Sequence, residues 1–227
     1  MYFSMAELSG EQRSKIMHST VLPRPIAWIT SQDADGRVNA APFSFFNVIS
    51  GNPPLLCACI GTRAGQPKDT VRNIVQTREF VVNLVSGPLL HRMAATAIDF
   101  GPQVDEADEA RLRLAGSRQV APPRVQDSPA AYECRVRDIH DIDGVRSLIV
   151  AEVLGAHIMD AAVQDPERMY FDSAPMDLVA RLQNPGWYGR IAQPFQLPTP
   201  SPQQWEAMKR AGSAVDFLDR AYGQAAG

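Results

Sequence analysis

Cysteine is scarce in this sequence. Its 227 residues hold three, Cys57, Cys59 and Cys134. An odd, sparse set does not make a secreted disulfide framework. Cys57 and Cys59 share one face of a strand, but no second C-x-C or H-x-H accompanies them, so they read as structural thiols and not as metal ligands. The four histidines, His18, His91, His140 and His157, show no metal-ligand spacing either. Long apolar runs are also missing: none approaches the roughly 20 residues of a membrane-spanning helix. The first residues, Met1–Ser19, lack a basic segment followed by an apolar one. A cytoplasmic protein with no membrane partner is the expectation. Charge of one sign is absent as well: 22 Lys and Arg oppose 25 Asp and Glu, a net charge of -3. That balance offers no broad attraction to nucleic acid. No G-x-G-x-x-G follows a strand, which leaves a Rossmann cofactor site unsupported. No repeat at a solenoid period occurs.

Hydrophobic residues make up 45% and charged residues 21%, as in ordinary globular chains. Ser9-Gly10-Glu11-Gln12 fits a capping box that opens a short helix to about His18. "PRPIAWITSQ" and "RVNAAPFSFF" flank Asp35-Gly36 and predict a hairpin, with Pro42 at an edge or a bulge. "PPLLCACIG" and "EFVVNLVS" predict buried strands. Between them "TVRNIVQTRE" predicts a helix N-capped by Asp69, with Val71, Ile74 and Val75 on one face. Helices are expected from Pro88 to Ile98 and over "DEADEARLRLAG". "APPRVQDSPAA" reads as irregular. A long second hairpin turns at Asp143-Gly144, its apolar and charged residues alternating as in a sheet with one wet face. After a loop-rich stretch, Ser201-Pro202 opens a last helix with Trp205, Met208, Val215, Leu218 and Tyr222 at helical spacing. Hairpins with inserted helices lack the alternation of a doubly wound sheet and predict a mainly β fold, an antiparallel barrel with peripheral helices.

Three segments carry candidate chemistry. "GTRAGQPKDT" joins a strand to a helix. Its Thr62 and Thr70 hydroxyls, its Arg63 and Lys68 charges and the helix start at Asp69 fit a phosphate. They fit a solvated loop capped by Asp69 equally well. In "APFSFFN", Ser44 and Asn47 can hydrogen-bond ring heteroatoms while Phe45 and Phe46 wall a flat ligand. The other reading is a core strand whose polar groups satisfy backbone. Asn83 in "FVVNLVS" needs partners, either backbone or ligand. Arg24 lies between two prolines in a third segment. In "NPGWYGR", Trp187, Tyr188 and Arg190 could cover a ligand or anchor a surface turn, and Arg181 has the same ambiguity. The acidic run Asp105–Glu109 reads as a solvated helix face.

"PRPIAWITS", "NAAPFSFFNVISGNPPLL" and "KDTVRNI…FVVNL", in that order, resemble the flavin reductase-like family of FMN-binding split-barrel proteins, the group that includes flavoredoxin. The resemblance covers roughly residues 15–160 and implies a single domain over 1–227, with 161–227 as a loop and helix extension. It implies FMN along "APFSFFN", with Ser44 and Asn47 at the ring edge. Thr62, Arg63, Lys68 and Thr70 would meet the phosphate, Arg24 would lie near the phosphate or ribityl chain, and Asn83 would support the site. It further implies NADH or NADPH as donor, a homodimer, and a flavin-dependent monooxygenase as one possible acceptor. The alternative is an electron carrier, or a flavoenzyme that does not use NAD(P)H. The flavin carries the chemistry, so no catalytic side chain is required.

Overall fold

A computed structural model describes residues 1–100, 104–191, 194, 196–197 and 199–219. The chain divides into two units, Met1–Ile191 and Ala192–Gly227. In the first, helix α1 (Gly10–Thr20) opens on the expected capping box, Ser9 Oγ accepting from the Gln12 N–H and the Gln12 side chain from the Ser9 N–H. Strands β1 (Ala27–Gln32) and β2 (Val38–Phe43) pair as a hairpin. Asp33 accepts from the N–H groups of Asp35 and Arg37 in its turn, and Gly36 takes the left-handed φ of 85° that the turn requires. Strands β3 (Phe46–Gly51) and β4 (Pro54–Gly61) follow, joined by a turn with a cis Asn52–Pro53 bond. Then come helix α2 (Asp69–Thr77), strand β5 (Glu79–Asn83), a single helical turn at Gly87–Leu89 and helix α3 (Leu90–Ala95).

Helix α4 (Glu106–Glu109) is one turn capped by Asp105, much shorter than the pattern predicts. The segment expected to be irregular contributes a strand: β6 (Leu114–Ala115) pairs with β7 (Arg124–Val125). The second hairpin is the longest element, β8 (Ala130–Ile142) with β9 (Arg146–Ile158). Two short ladders finish this unit, β10 (Val163–Asp165) with β11 (Tyr170–Phe171), and β12 (Val179–Arg181) with β13 (Tyr188–Arg190). Among the described residues, no helix is long and apolar enough to cross a membrane.

Seven strands pair antiparallel in the order β2-β1-β5-β8-β9-β4-β3. Strands β2 and β3 are therefore the two edges, yet only Ser44 and Phe45 separate them in the chain. The step from Phe43 to Phe46 can span at most roughly 11 Å. The sheet must curl until its edges come together. The Cys59 N–H donates to the Phe45 carbonyl at 2.7 Å, which carries the β3–β4 ladder one residue beyond Phe46 into that two-residue link. The result is a split antiparallel barrel, and Pro42 sits on an edge strand as expected.

Inside the barrel lie Ile29, Phe43, Ile60, Ile74, Phe80 and Ile149. Strand β1 is apolar on both faces because Trp28 points the other way, into a cluster with Val85, Leu89, Met93 and Val179. Its indole N–H donates to Thr96 Oγ1 at 2.9 Å. Helix α2 buries Val71 and Ile74, but Val75 is 53% exposed. Buried Thr70 and Asn73, one turn apart, hold the inner face that Val75 was expected to share. In the second unit, α5 (Pro202–Arg210) starts on a Ser201–Gln204 capping box, and Trp205 meets Phe217 of α6 (Ala214–Asp219) edge to face at 6.0 Å. Tyr222 lies outside the described residues.

Candidate functional site

The start of α2 gathers cations. Lys68, not Asp69, is its N-cap residue, and no side chain caps the helix. A lysine has no acceptor to offer the first N–H groups. Asp69 is the first helical residue and its carboxylate pairs with Arg72. Thr70 is buried and its Oγ1 donates to Asn39 Oδ1 at 2.7 Å, fixing the helix to β2. Arg63 and Gln66 exchange backbone hydrogen bonds of 2.8 and 2.9 Å, closing the loop before the helix. A cavity of about 80 Å³ results, lined by Asn39, Phe43, Arg63, Lys68, Thr70 and Glu106 among others.

The electrostatics of this cavity are unbalanced. Burial pulls the Lys68 amine below the usual lysine range, Arg63 and Arg146 add to that, and Asp99 opposes it. Arg63 pairs with Asp99 at 2.6 Å. Among the described residues, neither Lys68 nor Arg146 has a carboxylate partner at ion-pair distance. Glu106 is pushed above the ordinary carboxylate range by burial and by Asp69 and Asp105, against a hydrogen bond with Asn39. A half-buried ammonium beside two guanidiniums favours an incoming anion.

An aromatic wall adjoins the cavity. The Lys68 Nζ lies 5.5 Å from the centre of the Phe43 ring, and the Arg146 guanidinium 4.9 Å from that of Phe45. His18 stacks on Phe45 at 5.1 Å. A second cavity, of about 160 Å³, shares Pro42, Phe43 and Ala97 with the first and continues past His18, Arg24, Ser44 and Tyr188. Arg24 is only 5% exposed. It donates to the carbonyls of His18, Val21 and Leu182 at 2.8, 3.1 and 2.7 Å, and its Nε reaches Ser44 Oγ at 3.4 Å. Burial, then the nearby Arg181, lowers its pKa. Arg24 thus clamps three chain segments behind the aromatic wall, its donors turned to protein carbonyls. Arg181 donates to the Tyr188 hydroxyl at 2.7 Å and lies over that ring.

The remaining candidates scatter. The Thr62 N–H donates to the Val145 carbonyl, and the residue is half-buried. Asn47 is exposed and accepts from its neighbour Val48, while Phe46 packs on the barrel core. Both line a separate apolar hollow of about 470 Å³ with Leu84, Tyr132 and Val153. Asn83 moves from the ligand set to the core. Fully buried, it donates to the Trp28 carbonyl and Thr30 Oγ1 and accepts from the Val125 N–H at 2.8 Å, so all its bonds are internal. Trp187 is 62% exposed, and Arg190 pairs with Asp177 at 3.0 Å; of that trio, Tyr188 alone lines the second cavity.

Sequence reasoning missed Asn39, Glu106 and Arg146. No local sequence signal marks Arg146: the β4–β9 ladder pairs it with Gly61, where a Cβ would lie 3.2 Å from its guanidinium. Among the described residues, no group of three His, Cys, Asp or Glu is placed to hold a metal.

Residues 17–178 match the family model described as the flavin reductase like domain. An uncharacterized protein of Deinococcus radiodurans is 36% identical over 224 residues, 96% of this chain and 98% of that one. The crystal structure of Pseudomonas fluorescens 2-nitrobenzoate 2-nitroreductase superposes with a TM-score of 0.82 and 30% identity, over 89% of this chain and 98% of that one. Nitrilotriacetate monooxygenase component B from Bacillus cereus superposes with a TM-score of 0.81 at 24% identity, over 87% of this chain and 98% of that one.

Proposed function

The chain belongs to the flavin reductase-like family, and from that premise we propose that it is an NAD(P)H-dependent oxidoreductase that binds FMN and hands electrons to an acceptor such as a flavin-dependent monooxygenase. One observation carries the reading: Arg63, Lys68 and Arg146 converge at the start of α2, beside the Phe43–Phe45 wall. A phosphate placed there relieves the cations' mutual repulsion and takes hydrogen bonds from the α2 N-terminus. Ser44 supplies a hydroxyl along the way, while Thr70 fixes the helix start through Asn39. Phe43 and Phe45 offer an apolar surface to the ring and keep water from it. Bound FMN supplies hydride acceptance and electron transfer. The protein's share is to hold the phosphate, orient the ring and shield it. The reading takes 1–227 as one flavin-binding domain with 161–227 as its extension, in the cytoplasm and as a homodimer.

A second reading is favoured by the cavity beside Ser44, where Arg181, Asn184 and Tyr188 present polar groups. There the protein would hold FMN tightly and act on a small organic substrate; the 30% identical neighbour is described as a 2-nitrobenzoate 2-nitroreductase. Anaerobic absorbance spectra with FMN, before and after NADH and then NADPH, separate the two. Bleaching of the flavin band faster than for free FMN supports the reductase and names its donor. A protein-perturbed band that neither nucleotide bleaches transfers the assignment to the second reading. A spectrum identical to free FMN refutes both.

A further inference from the structure

A cavity far roomier than the one beside the aromatic wall lies elsewhere in the protein. A cleft of about 1030 Å³ opens behind α3, between the ends of β8 and β9, the 117–129 segment and the turn at Pro175–Asp177. Helix α3 lies between the two regions: its Arg92, with Leu89 just before the helix, lines this cleft, whereas its Met93, with Ala97 just after the helix, lines the cavity by Ser44.

Its wall is held by a buried carboxylate. Glu133 is 1% exposed. It accepts from the N–H groups of Arg118 and Gln119 at 2.8 and 2.5 Å and meets His157 Nε2 at 2.5 Å. These bonds fix the 117–119 segment against β8 and β9. The other two carboxylates of the lining are also committed, Asp127 to Arg113 and Asp177 to Arg190.

The lining cations are not so matched. Arg92 donates to the backbone carbonyl of Arg111. Arg124 reaches one carbonyl, that of Gln126, at 3.3 Å, and its Nε is buried with no hydrogen-bond partner among the described residues. None of Arg92, Arg118 and Arg124 has a carboxylate at ion-pair distance among the described residues. A buried guanidinium N–H left unpaired is costly and uncommon. Leu89, Leu154, Met159 and Met176 supply apolar wall between these groups. Guanidiniums take carboxylates in a planar, two-pronged geometry.

We propose that this cleft is a binding site for an organic carboxylate with an apolar body, distinct from the flavin region and held through Arg118 and Arg124. The test is calorimetric titration of the FMN-saturated full chain with benzoate, and with benzamide as its neutral counterpart. Benzoate is expected to bind at least about tenfold more tightly than benzamide, as loss of a charge-assisted bond implies. Arg118→Gln, at an exposed position where folding is not at stake, and Arg124→Gln are each expected to weaken benzoate about tenfold with FMN affinity unchanged. The inference is overturned if benzoate does not bind, if both variants bind it like the parent, or if Lys68→Ala removes its binding instead. It is equally overturned if benzoate gives no heat and Arg118→Gln dissociates an oligomer, since a second copy would then fill the cleft.

Discussion

Replacing Lys68 by alanine tests the anion site where its energetics are most distinct. The ammonium is half-buried, has no carboxylate partner among the described residues, and is repelled by Arg63 and Arg146, so its charge is held at a cost that an anion removes. A hydrogen bond to a charged group contributes about 1.5–3 kcal/mol. At about 1.4 kcal/mol per factor of ten, Lys68→Ala should weaken FMN between about tenfold and a hundredfold. Arg63 differs. It is already paired with Asp99 on the surface and must exchange one anion for another, so Arg63→Ala should cost at most about fivefold. The double variant should fall short of the product of the two factors, because the residues share one cavity. The assay is quenching of flavin fluorescence, run in parallel with FMN and with riboflavin, which lacks the phosphate. Lys68→Ala should lower FMN affinity and leave riboflavin affinity nearly unchanged. Equal losses for both flavins, or no loss for FMN, would refute the placement of the phosphate.

Two further predictions concern other parts of the molecule. Burial pushes the Glu133 carboxyl up, but His157 and the N–H groups of Arg118 and Gln119 outweigh it, and the net pKa lies below the ordinary 4.5. The group therefore stabilises the fold fully above about 4.5 and progressively less as pH falls through its lower native value. Glu133→Gln should lower stability by about 1–3 kcal/mol at pH 7 and flatten the acid limb of a urea-midpoint series, whereas an unchanged limb would exclude this carboxyl as its source. Edge strand β3 exposes Val48 and Ile49, 69% and 51% accessible, beside the apolar hollow, which supports burial against a second copy. Light scattering at micromolar protein with FMN should report a dimer, and Val48→Asp with Ile49→Asp a monomer; a monomeric parent would sink the proposed homodimer.

What could be read from the sequence, and what could not, divides by distance along the chain. Ser9-Gly10-Glu11-Gln12 and Ser201-Pro202 mark helix starts because a capping box closes within four residues. Asp143-Gly144 marks a hairpin because its turn chemistry is local. Lys68 was within reach as a phosphate candidate for the same reason, since loop, charge and helix start are adjacent in sequence. The cap itself was misjudged by one residue, which no pattern of that loop fixes. Arg146 comes more than seventy residues later. Only the β4–β9 register, which sets it opposite Gly61, brings it to Phe45 and Lys68. Asn83 illustrates the other limit. A buried amide in an apolar strand must be satisfied, but its sequence is the same whether a ligand or a backbone carbonyl does so. Here the Trp28 carbonyl and the Val125 N–H do, so Asn83 joins β5 to β1 and β7. The same reasoning separates Ser44 from Asn47. Three residues apart in one apolar run, they fall on two sides of the seam where β2 gives way to β3. Ser44 lines the cavity by Arg24, and Asn47 lines the apolar hollow on the opposite edge strand. Barrel closure through two residues, and not the composition of "FSFFN", therefore decides which of its polar groups can meet a ligand in that cavity.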